Sequence, residues 1–76
     1  MHPATQQLLD FFDFEHLPDG GVVSMRATSK RFHDLAHELV REMGEDGGPE
    51  LTVALRKLLE SKDAAVRAAL IINQPF

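Results

Sequence analysis

Apolar residues gather in three stretches of the chain, each repeating at helical rather than strand spacing. In the first, Leu8, Leu9, Phe11 and Phe12 form an apolar side behind Pro3, a residue suited to the first helical position. This predicts a short helix from Pro3 to Phe12. The run His16-Leu17-Pro18-Asp19-Gly20-Gly21 then reverses the chain, because proline fixes one φ and glycine admits the positive φ that other residues resist. In the second stretch Met25, Phe32, Leu35, Ala36, Leu39, Val40 and Met43 line one side of a helix. Ser24 is its expected N-cap, and Gly44 is expected to end it in a left-handed conformation.

Glu45-Asp46-Gly47-Gly48 is a short polar link, after which Pro49 and Glu50 open a third helix in the favoured order of proline, then acid. Leu51, Leu55, Leu58, Leu59, Val66, Ala69 and Leu70 make a broad apolar arc along it. No glycine or proline interrupts Glu50 to Gln74, so a helix ending near Ile72 reaches roughly 35 Å at about 1.5 Å per residue. The other two helices are expected to be too short to cover that length. The fold class is therefore all-α: a short N-terminal helix, then a helical hairpin with a long C-terminal helix, in a single domain over residues 1–76 that assembles as a homo-oligomer. Val22-Val23 is too short to count as a strand.

Composition narrows the function. At 76 residues a single core leaves little stability to spare, which also favours a partner. The absence of cysteine removes disulfides and thiolate zinc sites and fits a cytoplasmic location. No apolar run approaches a membrane span, and Met1 to Asp10 lacks the basic opening of a secretory signal. The formal net charge of −4 argues against binding DNA or RNA polymers, which reward a basic balance.

Against that acidic background Arg26, Lys30, His33, His37 and Arg41 recur every three or four residues and form one cationic stripe on the second helix. One reading is a solvated face, with Lys30 paired to Asp34 and Arg41 to Glu45. The other is an anion site. Near the helix N-terminus free backbone N–H groups favour anions, Arg26 and Lys30 add full charges, and Ser24, Thr28 and Ser29 offer hydroxyl donors. Phe14 lies beyond the first helical pattern and is placed to stack on a nucleobase, with Asp13 and Glu15 beside it as acceptors for exocyclic amines, while core packing accounts for at least two of Phe11, Phe12 and Phe14.

His33-Asp34-Leu35-Ala36-His37 has the i, i+4 histidine spacing of zinc hydrolases, but aspartate stands where they carry glutamate and no motif supplies a third ligand, although His16 could approach in space. A surface or interface histidine pair is the preferred reading, with no metal and no cofactor. On the third helix Arg56, Glu60, Asp63 and Arg67 share a face as a salt-bridged ladder. Lys62 projects from the apolar arc, where pairing with an acid of a neighbouring subunit is the favoured explanation. No nucleophile, base and acid arrangement, glycine-rich phosphate loop or paired catalytic carboxylates can be read, so the chain is not expected to be an enzyme.

The segments Phe12-Asp13-Phe14-Glu15-His16-Leu17-Pro18, Ser29-Lys30-Arg31-Phe32-His33-Asp34-Leu35-Ala36 and Leu55-Arg56-Lys57-Leu58-Leu59-Glu60-Ser61-Lys62-Asp63-Ala64-Ala65-Val66-Arg67-Ala68 together resemble a family of small bacteriophage proteins. Some relatives look like the anti-CBASS cyclic-oligonucleotide sponges. The resemblance implies a compact helical hexamer that sequesters cyclic di- and trinucleotides, the second messengers of a bacterial anti-phage defence, without cleaving them. It implies a dinucleotide pocket between two subunits, with Phe14 at the base-stacking position that usually holds tyrosine. Lys30 or Arg26 matches the phosphate-holding residue, and Arg67 is the nearest match to an arginine serving a separate trinucleotide pocket. The tryptophan-asparagine stretch typical of that last helix is absent. The full candidate set is Phe14, Arg26, Thr28, Ser29, Lys30, His33 and Arg67. The rival function is a helical protein-interaction module, a host-protein inhibitor or phage assembly factor, with no nucleotide ligand.

Overall fold

A computed structural model describes residues 3–75, and these form an all-helical fold of α1 (Pro3–Asp10), α2 (Met25–Met43) and α3 (Gly48–Asn73). The α2–α3 hairpin is the frame. Its core is built from Leu9 and Phe12 of the N-terminal segment, Ala36 and Val40 of α2, and Leu51 and Leu55 of α3, all buried. Leu8, Phe32, Leu39, Leu58 and Leu59 pack around it. Phe12 and Leu55 lose all solvent contact, each a burial worth roughly 1.5–3 kcal/mol.

α1 stops at Asp10, two residues before the expected end. There the hydrogen bonding tightens, with Phe11 N–H donating to Leu8 C=O at 3.1 Å and Phe12 N–H to Leu9 C=O at 3.0 Å. The tighter turn drops Phe12 into the core and leaves Phe11 62% exposed, so Phe11 is no part of the apolar side assigned to it.

Ser24 caps α2 as expected: its Oγ accepts from Ala27 N–H at 3.0 Å and donates to Asp19 Oδ1 at 2.6 Å. The same Asp19 oxygen accepts from Gly20 N–H at 2.9 Å. Asp19 therefore anchors both the turn and the cap. At the other end of α2 the expectation fails. Gly44 is right-handed, at φ −57°, and its N–H still donates to Val40 C=O at 2.8 Å. Asp46 and Gly47 N–H both return to Met43 C=O, so the chain keeps a right-handed sense through the link. The positive φ falls on Gly48 instead, at +55°, where α3 begins.

α3 holds 26 residues, about 39 Å at about 1.5 Å per residue, in a molecule whose longest dimension is 48 Å. α2 and the preceding loop cover more of it than its length suggested. The Asn73 carboxamide reaches back to that loop, accepting from Val23 N–H at 2.9 Å and donating to Val23 C=O at 2.6 Å. Both ends of the hairpin are thereby tied. The apolar arc of α3 is buried at Leu51, Leu55 and Ala69, while Leu70, Ile71 and Ile72 stay exposed. Lys62, assigned to a subunit interface, is covered by its own chain: its side chain is only 12% exposed, with Nζ 3.4 Å from Asp63 Oδ1. Its burial needs no second copy.

Candidate functional site

The loop from Asp13 to Val23 runs beside α2 and is held there by Arg26. Arg26 N–H donates to Pro18 C=O at 3.1 Å, and its side-chain Nε donates to Leu17 C=O at 2.9 Å. Leu17 N–H in turn donates to Phe14 C=O at 3.0 Å. This sets Phe14 against the middle of α2. Its ring meets His33 edge-on with centroids 4.9 Å apart, His33 lies 4.3 Å from His37, and Lys30 Nζ stands 5.8 Å over the Phe14 ring. That last distance is within the range of a cation–π attraction.

An open pocket of about 300 Å3 lies at this junction, lined by Asp13, Phe14, Glu15, His16 and His33. Phe14 and His33 are half-buried, so the rings are fixed yet retain solvent-facing surface. Asp13, Glu15 and His16 are exposed, and their side chains make no hydrogen bond or ion pair with the described residues. The acceptors of the pocket are therefore free.

Lys30 is not free. Its Nζ lies 2.7 Å from Asp34 Oδ2, the i, i+4 pairing expected of a solvated face, and both side chains are about half exposed. Asp34 Oδ1 lies 3.0 Å from His33 Nδ1. The Lys30 hydrogen bond first, and the His33 contact second, hold the Asp34 carboxyl below its ordinary value. Pairs this exposed are screened by solvent and contribute little to stability. The Arg41–Glu45 pair does not form among the described residues, nor do the rungs of the Arg56–Glu60–Asp63–Arg67 ladder. Lys57 meets Glu60 instead, at 3.7 Å.

Of the seven candidates, Phe14, Lys30 and His33 come together. Arg26 belongs to the same side of α2, but its Nε is engaged by the loop backbone. Thr28 is two residues from Lys30, about 200° around the helix, and so faces away from the pocket. Ser29 is fully buried, and its Oγ has no hydrogen-bond partner among the described residues. It occupies the helix packing, not a surface a ligand can reach. Arg67 is exposed on α3 and forms no ion pair with the described residues. His37 joins the ring stack, a placement its four-residue spacing from His33 already implied.

No group of three metal-ligating side chains occurs among the described residues, so His16 does not complete a site with His33 and His37. A second depression, about 560 Å3, lies between the start of α1 and the hairpin link. It is lined by Thr5, Leu51, Thr52, Val53 and Arg56 among others, and contains no aromatic ring for a base to stack on. No helix among the described residues is long and apolar enough to cross a membrane. No protein-family model, curated protein or solved structure matches the chain.

Proposed function

We propose that the protein is a phage anti-defence sponge, which binds a cyclic oligonucleotide and withholds it from host signalling without cleaving it. The supporting observation is an open pocket lined by Phe14 and His33, with Lys30 outside its lining but its Nζ 5.8 Å over the Phe14 ring. An aromatic face and an ammonium this close suit the two parts of a nucleotide, a base to stack and a phosphodiester to neutralise. Of the two phosphate candidates, Lys30 is favoured, because its ammonium stands over the Phe14 ring, whereas Arg26 Nε holds the loop backbone.

In this reading a homo-oligomer, a hexamer by resemblance, completes each site from a neighbouring subunit in the bacterial cytoplasm. A cyclic dinucleotide is the primary ligand. A cyclic trinucleotide would need a separate site at Arg67. Sequestration is stoichiometric, so it requires tight binding, with free ligand falling as sites fill. Calorimetric titration with a panel of cyclic di- and trinucleotides tests this, together with a light-scattering mass. The expected result is binding at one ligand per site, with intact nucleotide recovered after heating the complex. No heat with any member at micromolar protein, or a strictly monomeric mass, refutes it.

One observation favours a second reading, a protein-interaction module with no nucleotide ligand. The Asn73–Val23 hydrogen bonds bring the end of α3 to the loop, and Val22, Leu70, Ile71 and Ile72 are all exposed in these two segments. In that case the titration gives no heat, and substituting Ile71 and Ile72 by serine alters association with a protein partner alone.

A further inference from the structure

The carboxylates that line the pocket bear on which base it would take. Resting on the nucleotide reading above, we propose that the pocket at Phe14 selects guanine, with a carboxylate of Asp13 or Glu15 accepting from its N1–H and its exocyclic amine together. Three features of the pocket converge on this. Its lining includes two carboxylates, and neither is answered by a hydrogen bond or ion pair within the described chain. They flank Phe14 in sequence, so acceptors border the ring that a base would stack on. The cation of the site, Lys30, is held on α2 by Asp34 and is not among the lining residues.

Charge divides the ligand accordingly. A phosphodiester is repelled by Asp13 and Glu15 and attracted by Lys30, so the pocket itself takes the uncharged base. Acceptors that lack donors then select among bases by what each base presents. A carboxylate offers two oxygens side by side and, when ionised, donates nothing. The Watson–Crick edge of guanine presents two adjacent donors, N1–H and the exocyclic amine, and satisfies both oxygens. Adenine and cytosine each set a single amine beside a ring-nitrogen acceptor, which faces the second oxygen unfavourably. Uracil sets its one N–H between two carbonyls. Only guanine pairs without an opposed acceptor.

The discriminating probe is inosine, which keeps N1–H and the stacking face and loses only the exocyclic amine. A lost hydrogen bond to a charged acceptor corresponds to a loss of roughly tenfold or more in affinity. The experiment is calorimetric titration of the full chain with cyclic di-GMP, cyclic di-IMP, cyclic di-AMP and cyclic di-UMP, repeated on Asp13→Asn and Glu15→Gln. The expected order places cyclic di-GMP at least about tenfold tighter than each of the others, with the gap to cyclic di-IMP collapsing in one of the two variants. Binding of all four within less than that margin, or tighter binding of another base, overturns guanine selection while leaving sequestration intact. A guanine preference that survives both substitutions overturns the carboxylate assignment. No heat with any of the four probes overturns this inference, and silence across the wider di- and trinucleotide panel removes the nucleotide reading beneath it as well.

Discussion

Alanine at Gly21 should cost far more than alanine at Gly20, and the difference measures the tie between Asn73 and the loop. Both glycines have positive φ, +81° and +94°, so a side chain at either incurs the left-handed penalty of about 1–2 kcal/mol. Both substitutions also stiffen the unfolded chain, an opposing contribution of about 0.4–1 kcal/mol. These two effects cancel in the comparison. What does not cancel is space: a Cβ at Gly20 meets nothing within 4 Å, whereas one at Gly21 falls 2.9 Å from Asn73 Oδ1 and 3.0 Å from its Cγ.

The Asn73 carboxamide must then move, and it makes both hydrogen bonds to Val23. At about 0.5–1.5 kcal/mol each, losing them gives a difference of about 1–3 kcal/mol between the two variants. For a chain this small, that lowers the midpoint of Gly21→Ala by at least about 4 °C relative to Gly20→Ala. Thermal and urea unfolding followed by circular dichroism measure it. The double variant Gly21→Ala/Asn73→Ala supplies the control, since with the carboxamide gone the Gly21 penalty should fall to that of Gly20. Equal stability of the two glycine variants, or a Gly21 penalty unchanged in the Asn73→Ala background, would refute the steric account.

Lys30→Glu should abolish cyclic-nucleotide binding and leave helix content by circular dichroism unchanged, since the Lys30–Asp34 pair is exposed; surviving affinity would move the phosphate site elsewhere. Ser29→Ala should stabilise the fold by about 1 kcal/mol, because it removes a buried Oγ without a partner and improves helix propensity; a destabilised variant in urea titration contradicts that. Lys62→Met should be neutral or stabilising by up to about 1 kcal/mol in the same assay, as the side chain is mostly covered and, among the described residues, its ammonium meets only Asp63, at 3.4 Å. The Ser24 hydroxyl first, and the Gly20 N–H second, hold the Asp19 carboxyl below its ordinary value of 3.8. A depressed carboxylate contributes stability that is complete above that value and lost as pH falls through the lower folded one. Asp19→Asn should therefore flatten the acid limb below about pH 4, and an NMR titration midpoint for Asp19 at or above the ordinary aspartate value would count against it.

The parts of the fold governed by neighbouring residues were legible in the sequence. Ser24 as a cap, the Pro49-Glu50 start and the helical spacing of Ala36, Val40, Leu51 and Leu55 each reflect interactions within one or two turns, and all appear in the structure. The Lys30–Asp34 pair is of the same kind. Placements that depend on distant segments were not legible. Nothing local marks Asn73 as the partner of Val23, because 50 residues separate them. The spacing that put Phe11 and Phe12 on one apolar side could not register a tightening of the last turn, which separates them between solvent and core. Likewise residue type favours Gly44 for a left-handed cap, yet Gly48 carries the left-handed φ because the link continues its right-handed bonds. Within the site, the stripe on α2 was visible in the spacing, but the engagement of Arg26 by Leu17 and the interior position of Ser29 follow from how the loop and α3 pack onto α2.

The Lys30–Asp34 pair also fixes what any affinity at this pocket would represent. In the free chain the ammonium is already answered by a carboxylate 2.7 Å away on the same helix. An incoming phosphodiester does not fill a vacant charge but competes for an occupied one, and binding is an exchange of one anion for another. The measured constant is then a difference between two ion pairs, and Asp34 sets its zero. Asp34→Asn would leave the partner of the phosphate untouched and still tighten binding, by removing the competitor built into the chain.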